Sequence, residues 1–186
     1  MATEIEIKFR LDGPAAMRRK LVAAGAKSKG RVLERNTYFD TPDARLRAGD
    51  RGLRIRATES STGRRRCTLT YKGPRRPGPM KIRREEEVAV SSPRAAKTIL
   101  AALGYVPTLS FQKRREDFSL GGAVVSLDEL PGLGFFLEIE AGNEAGVRRA
   151  ARRLGLSRQR PITATYIALV AEHLSARPGR GRELKF

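Results

Sequence analysis

Eight short segments of this 186-residue chain alternate apolar and polar residues with a period of two, and ions fill most of the polar places. They are "EIEIKF" from Glu4, "NTYFDT" from Asn36, "GLRIRAT" from Gly52, "RCTLTYK" from Arg66, "RREEEVAV" from Arg83, "FQKRREDFSL" from Phe111, "AVVSLDEL" from Ala123 and "GFFLEIEA" from Gly134. A period of two belongs to strands, because successive side chains leave a strand on opposite faces. Eight strands with few helices predict an α+β chain built on an antiparallel sheet or barrel.

Sorting each strand into its faces is the informative step. Glu4, Glu6 and Lys8 share one side, opposite Ile5, Ile7 and Phe9. Arg54 and Arg56 share another, as do Thr68, Thr70 and Lys72. Arg83, Glu85 and Glu87 align, then Lys113, Arg115 and Asp117, then Ser126 and Asp128, then Glu138 and Glu140. A sheet with helices on one side and water on the other explains any single strand of this kind. It explains eight less well, because a wet face ordinarily offers Thr, Ser, Gln and Lys. If the sheet closes, the charged faces line a shared interior.

Charges taken from water need partners, and crowded like charges shift their pKa values or draw counter-ions. Arginine and lysine suit phosphate oxygens. Clustered carboxylates suit a hard divalent cation such as Mg²⁺ or Mn²⁺, which usually arrives with phosphate. Both sets in one cavity point to a metal-bound polyphosphate, and they account for the net charge of +18 better than a nucleic acid does.

Four helices are predicted: Pro14 to Ala24, closed by Gly25; a segment capped by Ser92 that runs to Gly104; "EAGVRRAARRL", capped by Asn143 and stopping near Gly155; and Ile162 to Ser175. "DTPDARLRAGD" and "KGPRRPGPM" read as turns. "EIEIKFRLDGPAAMRRKLVAAGA" and "REEEVAVSSPRAAKTILAALG" form an approximate repeat, strand then helix, each followed by three more strands. The repeat suggests two related halves. Residues 1–175 make one domain, and 176–186 read as a basic, disordered tail.

No apolar run is long enough to span a bilayer, no signal-peptide core opens the chain, and the one cysteine, Cys67, fits a reducing compartment. The chain reads as soluble and cytoplasmic, with no membrane partner. Cys67 lies on the apolar side of its strand and His173 in an apolar helix, so both read as structural. Tyr38 lies on the same side as Asn36 and Asp40, in contact with substrate or packed at the cavity mouth. "RGLRIR" and "GRRRC" hint at nucleic acid, but no recognised module and little aromatic surface accompany them, so no specific nucleic acid is expected.

The ordered set Glu4-x-Glu6-x-Lys8, "NTYFDTPDARLRAGDRGLRIR", "TLTYKGP", "RREEEV", "QKRREDF" and "SLDELPGLGFFLEIEA" resembles the CYTH superfamily, the triphosphate tunnel metalloenzymes. The resemblance covers about residues 2 to 170 and is nearest to class IV adenylyl cyclase-like proteins. It implies a closed eight-stranded antiparallel tunnel with helices outside and a requirement for Mg²⁺ or Mn²⁺. Glu4, Glu6, Glu138 and Glu140 would bind metal, with Asp128, Glu85 and Glu87 as direct or water-mediated ligands. Lys8, Arg54, Arg56, Lys72, Lys113 and Arg115 would clamp the triphosphate. Glu4, Glu6, Lys8, Glu138 and Glu140 would be the catalytic set. The implied substrates are ATP, converted to cyclic AMP and pyrophosphate, or thiamine triphosphate or tripolyphosphate, hydrolysed. A binder of polyphosphate or nucleotide without turnover is the alternative from another class, and a homodimer is a family-level expectation.

Overall fold

The computed structural model describes residues 2–177 and 182–186. The elements run β1 (Ala2–Leu11), α1 (Pro14–Ala23), β2 (Lys27–Asp40), α2 (Arg45–Ala48), β3 (Gly52–Ser60), β4 (Arg65–Lys72) and β5 (Lys81–Ala89). They continue through α3 (Pro93–Ala102), β6 (Val106–Leu120), β7 (Ala123–Leu130), β8 (Gly134–Glu140), α4 (Glu144–Arg153), α5 (Tyr166–Ser175) and β9 (Glu183–Leu184). Strands β1 to β8 pair antiparallel in the order β2-β3-β4-β5-β1-β8-β7-β6, and β6 pairs back onto β2, so the sheet closes into an eight-stranded barrel. Every alternating segment of the sequence is one of its strands.

Closure sends the two faces to different places. The apolar faces point out and are covered by helices, and the ionic faces point in. Phe9, Val125, Leu137 and Ile139 pack beneath Met17 and Leu21 of α1, Val147 of α4 and Leu154 just after it. Phe39 and Ile55 pack beneath Ala96 and Leu100 of α3. Phe111, Leu130 and Phe136 pack against Tyr166, Val170 and Leu174 of α5. A small domain of this type therefore keeps three apolar clusters outside the barrel wall and an ionic space inside it.

The helix starts follow local chemistry. The side chains of Ser92, Asn143 and Thr165 accept hydrogen bonds from the backbone N–H groups of Ala95, Gly146 and Ala168, at 3.2, 2.8 and 3.3 Å. α5 begins at Tyr166, four residues later than the sequence suggests. The reason is that residues 162–164 are tied to β1: the N–H of Ile162 donates to the carbonyl of Lys8 at 2.7 Å, and Lys8 Nζ donates to the carbonyl of Ala164. The turn "DTPDARLRAGD" contains a helix that was not anticipated, α2. The carboxylate of Asp40 organises it by accepting from the N–H groups of Thr41, Leu46 and Arg47 at 2.8, 2.8 and 3.0 Å.

The pairing scheme supports the two halves. Exchanging β1, β2, β3 and β4 with β5, β6, β7 and β8 carries every neighbour pair in the barrel onto another neighbour pair. In the segment read as a disordered tail, Glu183–Leu184 lies parallel to β6 at Ser110–Phe111, and Leu184 is buried against the α5 cluster. Residues 178–181 of that tail lie outside the described residues.

Candidate active site

The barrel encloses a cavity of about 1230 Å³. Glu4, Glu6, Lys8, Arg54, Arg56, Lys72, Lys113, Arg115, Glu85, Glu87, Glu138 and Glu140 all line it. Strand register decides which of them meet. Lys8 stands opposite Glu138, Glu4 opposite Arg83, Glu6 opposite Lys81, Lys72 opposite Glu85, Lys113 opposite Glu34 and Arg115 opposite Asp128. Opposite charges on facing positions stabilise a sheet, and like charges destabilise it. One position breaks this pattern: Glu6 stands directly opposite Glu140.

Pairing holds Glu4 and Glu138 ionised. Glu4 accepts from Lys72 Nζ at 2.9 and 3.0 Å and lies 3.4 Å from Arg83. Burial alone would raise its pKa, but Lys81, Lys72 and Arg83 outweigh burial and hold it well below the carboxylate range. Glu138, bound to Arg115 and 3.4 Å from Lys8, is held low for the same reason. Glu85 is bound to Lys72, and Glu87, half-exposed, accepts from Thr70 at 2.8 Å.

Glu6 and Glu140 go the other way. Burial, Glu138 and Glu4 raise the pKa of Glu6 even though Lys81 donates to it at 2.5 Å. Glu140 has no hydrogen bond or ion pair among the described residues. Burial and the charges of Glu4, Glu6 and Glu85 push its carboxyl up to about 7. This surplus of negative charge on adjacent strands is what a hard divalent cation relieves. Among the described residues no three such groups converge closely enough to hold a metal alone. A cation of the Mg²⁺ type would need only one or two of these carboxylates and would complete its shell with phosphate oxygens and water. The residues therefore fit a metal at Glu6 and Glu140, flanked by Glu4 and Glu138.

The cations divide into held and loosely held. Asp128 lies buried beneath the cavity lining and accepts from Lys113 at 3.1 Å, from Arg115 through two bonds of 2.7 Å, and from the Tyr166 hydroxyl at 2.7 Å. It was expected among the metal ligands; here its oxygens are taken up by Lys113, Arg115 and Tyr166. Arg56 reaches Asn36 at 2.9 Å and Glu34 at 3.1 Å. Arg54, across the barrel from β8, donates to Thr70 at 3.2 Å and stands 4.0 and 3.8 Å from Glu85 and Glu87. Its buried Nε has no acceptor. Arg54 lines the cavity, and a cavity-lining guanidinium without its full set of partners can donate to an anionic oxygen.

Four residues of the site were not picked out for it from the sequence. Lys81 and Arg83 bind Glu6 and Glu4, Glu34 binds Arg56 and Lys113, and Tyr166 supports both Asp128 and Lys8. Lys8 Nζ sits 3.6 Å above the Tyr166 ring, a cation–π contact that anchors it to α5. Tyr38 lines the cavity and stacks on Phe111, 6.0 Å between centroids. Tyr166→Phe keeps the ring and removes one of Asp128's donors. It is expected to lower the unfolding free energy by about 1.5–3 kcal/mol, the usual worth of a bond to a charged group, as measured by urea titration.

The description of the CYTH domain family matches residues 2–166 of this chain, which hold the barrel and nearly all of the site. The chain belongs to the CYTH family. The adenylate cyclase CyaB of Aeromonas hydrophila is 31% identical over 185 residues, covering 92% of this chain and 91% of that one. A solved structure of a Pyrococcus horikoshii protein is 26% identical, with a TM-score of 0.77 over 91% of this chain and 99% of that one. A candidate adenylyl cyclase from Hippeastrum, described as revealing a dominant triphosphatase activity, is 20% identical with a TM-score of 0.68, covering 91% and 96% of the two chains; that likeness is one of fold. No helix among the described residues is long and apolar enough to cross a membrane.

Proposed function

We propose that this protein is a Mg²⁺- or Mn²⁺-dependent enzyme of triphosphates that converts ATP to cyclic AMP and pyrophosphate. One observation carries the reading: a loosely partnered cationic wall at Arg54 faces a repelling carboxylate pair, Glu6 and Glu140, across one cavity. The name of the Aeromonas relative supports the cyclase form.

Phosphoryl chemistry needs charge neutralisation and an in-line nucleophile more than covalent help from the protein. Arg54, Arg56, Lys113 and Arg115 bind the triphosphate oxygens, and Asp128, Glu34 and Tyr166 keep the last two of these cations aimed inward. Lys8 and Lys72 supply charge beside the carboxylates. A divalent cation bound at Glu6 and Glu140 would neutralise phosphate oxygens and fix the chain of phosphates relative to the nucleophile. Attack by the ribose 3′-hydroxyl on the α-phosphorus expels pyrophosphate.

A second reading, a triphosphatase, is favoured by the lining itself, since these cations recognise phosphate and no adenine. Water then attacks the terminal phosphorus. The test is to incubate the protein with ATP, thiamine triphosphate and tripolyphosphate under Mg²⁺ or Mn²⁺ and identify the products. Cyclic AMP is the expected product; orthophosphate alone selects the second reading, and tight binding without turnover under either metal overturns both. Arg54→Ala is expected to lower kcat/KM about 10²-fold, as measured in steady-state kinetics, because among the described residues no other buried guanidinium nitrogen is left unpaired.

A further inference from the structure

The cavity does not use the net charge of +18. Its cations face carboxylates almost one for one, so the excess must lie on the outside. Elsewhere on the outer barrel cations meet carboxylates: Arg35 and Arg65 flank Glu59, Arg31 meets Glu116, which Arg18 of α1 also reaches, and Arg114 meets Glu129. The face made by α1 and α4 is different. These two helices share one apolar cluster, and Arg153 of α4 donates to the carbonyl of Ala24 at the end of α1 at 2.5 Å. Lys20, Lys27, Arg149, Arg152 and Arg158 all stand exposed there, and their side chains make no ion pair or hydrogen bond among the described residues. The one carboxylate of α4, Glu144, is taken by Arg148 at 3.1 Å.

Such a face costs stability. Arg149 and Arg153, and likewise Arg148 and Arg152, lie four residues apart on one helix, where like charges repel by a few tenths of a kcal/mol per pair. Beyond the Arg148–Glu144 pair, no carboxylate of α1 or α4 offsets them. The side chains are mostly guanidinium groups, whose fork matches phosphate oxygens. Neither residues 14–31 nor residues 144–160 contain an aromatic residue, so the face has no platform on which unpaired bases could stack. The single bulky apolar side chain exposed on it, Val22, is too little to enter a lipid surface.

We propose that the α1–α4 face binds the phosphate backbone of duplex nucleic acid, without reading its sequence. The surface lies outside the barrel and is independent of what the cavity turns over. The test uses the full chain and a mixed-sequence DNA duplex of about 30 base pairs, with anisotropy read from about 50 to 200 mM salt. The wild type is expected to bind with a steep salt dependence. Lys20→Gln/Arg149→Gln/Arg152→Gln is expected to weaken binding and to flatten the slope of log K against log[salt] by about 2.7, at roughly 0.9 for each phosphate no longer neutralised.

Arg84→Gln/Arg94→Gln/Lys97→Gln, which removes the same charge from β5 and α3, is expected to leave the affinity and slope unchanged. Circular dichroism melts of both variants separate a binding loss from a folding loss. An equal loss in the two variants would overturn the proposal, because net charge alone would then explain binding. Failure of the wild type to bind duplex at 50 mM salt would also overturn it, as would binding only to anionic phosphatidylserine vesicles.

Discussion

Glu140→Gln is expected to remove metal-dependent turnover, by about 10²-fold or more, while making the metal-free protein more stable. The two effects have one cause. Glu140 faces Glu6 across the β1–β8 ladder with no cation bound to it, and Glu4 and Glu85 add to the repulsion. Its pKa is raised from 4.5 to about 7, so the folded chain binds that proton more tightly than the unfolded chain does. Stability from this group is therefore present below about pH 4.5 and is lost as the pH rises through 7. Glutamine mimics the protonated form. The variant should melt at the wild-type temperature at pH 5 and above it at pH 8. Because Glu140 is exposed to the cavity's solvent, the gain is below about 1 kcal/mol, or roughly 2–4 °C in Tm. A variant that loses stability at pH 8, or keeps full turnover, would remove Glu140 from the site. Stability and function traded against each other at one residue is a common property of binding sites.

Glu34→Gln should do the opposite. Glu34 is buried, lies 3.1 Å from Arg56 and 3.4 Å from Lys113, and has a second cation of β6, Arg115, at 3.9 Å. Burial would raise its pKa, but these cations hold it well below 4.5. Removing the charge leaves several buried cations short of a partner, and the usual cost is about 3–5 kcal/mol at neutral pH. The sign of the pH dependence follows. The wild-type advantage is fully present above about pH 4.5 and is lost as the pH falls toward the folded-state value. Urea titrations should therefore show the gap between wild type and variant narrowing by about 1.4 kcal/mol per pH unit below 4.5. A gap that stays constant to pH 3 would mean that another group carries the charge balance.

Period-two alternation made the strands legible, and with them the inward side of each. A strand's parity is a local property, so Glu4, Arg54, Lys72 and Lys113 could be sorted without knowing which strands touch. Register is not local. That Glu6 meets Glu140 while Lys8 meets Glu138 depends on how the first strand docks on the last, and no short stretch of sequence contains that information. Lys81 was hidden by the proline-rich turn before it, although it continues the parity of Arg83 and Glu85. Glu34 was hidden because the second strand was read as starting at Asn36, whereas β2 begins at Lys27. Tyr166 sat in a segment whose apolar pattern spoke only of packing. Asp128 shows the limit from the other side: parity put it on the charged side of its strand, but only its four bonds reveal that it holds Lys113, Arg115 and Tyr166.

The order of the strands also bears on how the barrel comes into being. β1 leaves the ribosome before the other barrel strands, yet its neighbours are β5, which begins at Lys81, and β8, which begins at Gly134. Glu4 and Glu6 have no cross-strand partner until Arg83 and Lys81 are made, and Lys8 none until Glu138, so this charged ribbon must wait in water. Pairings this distant in sequence make for slow closure and a long exposure of unpaired strand edges. The charges that later line the cavity would then serve first as a guard, keeping the waiting edge of β1 from pairing with other nascent chains.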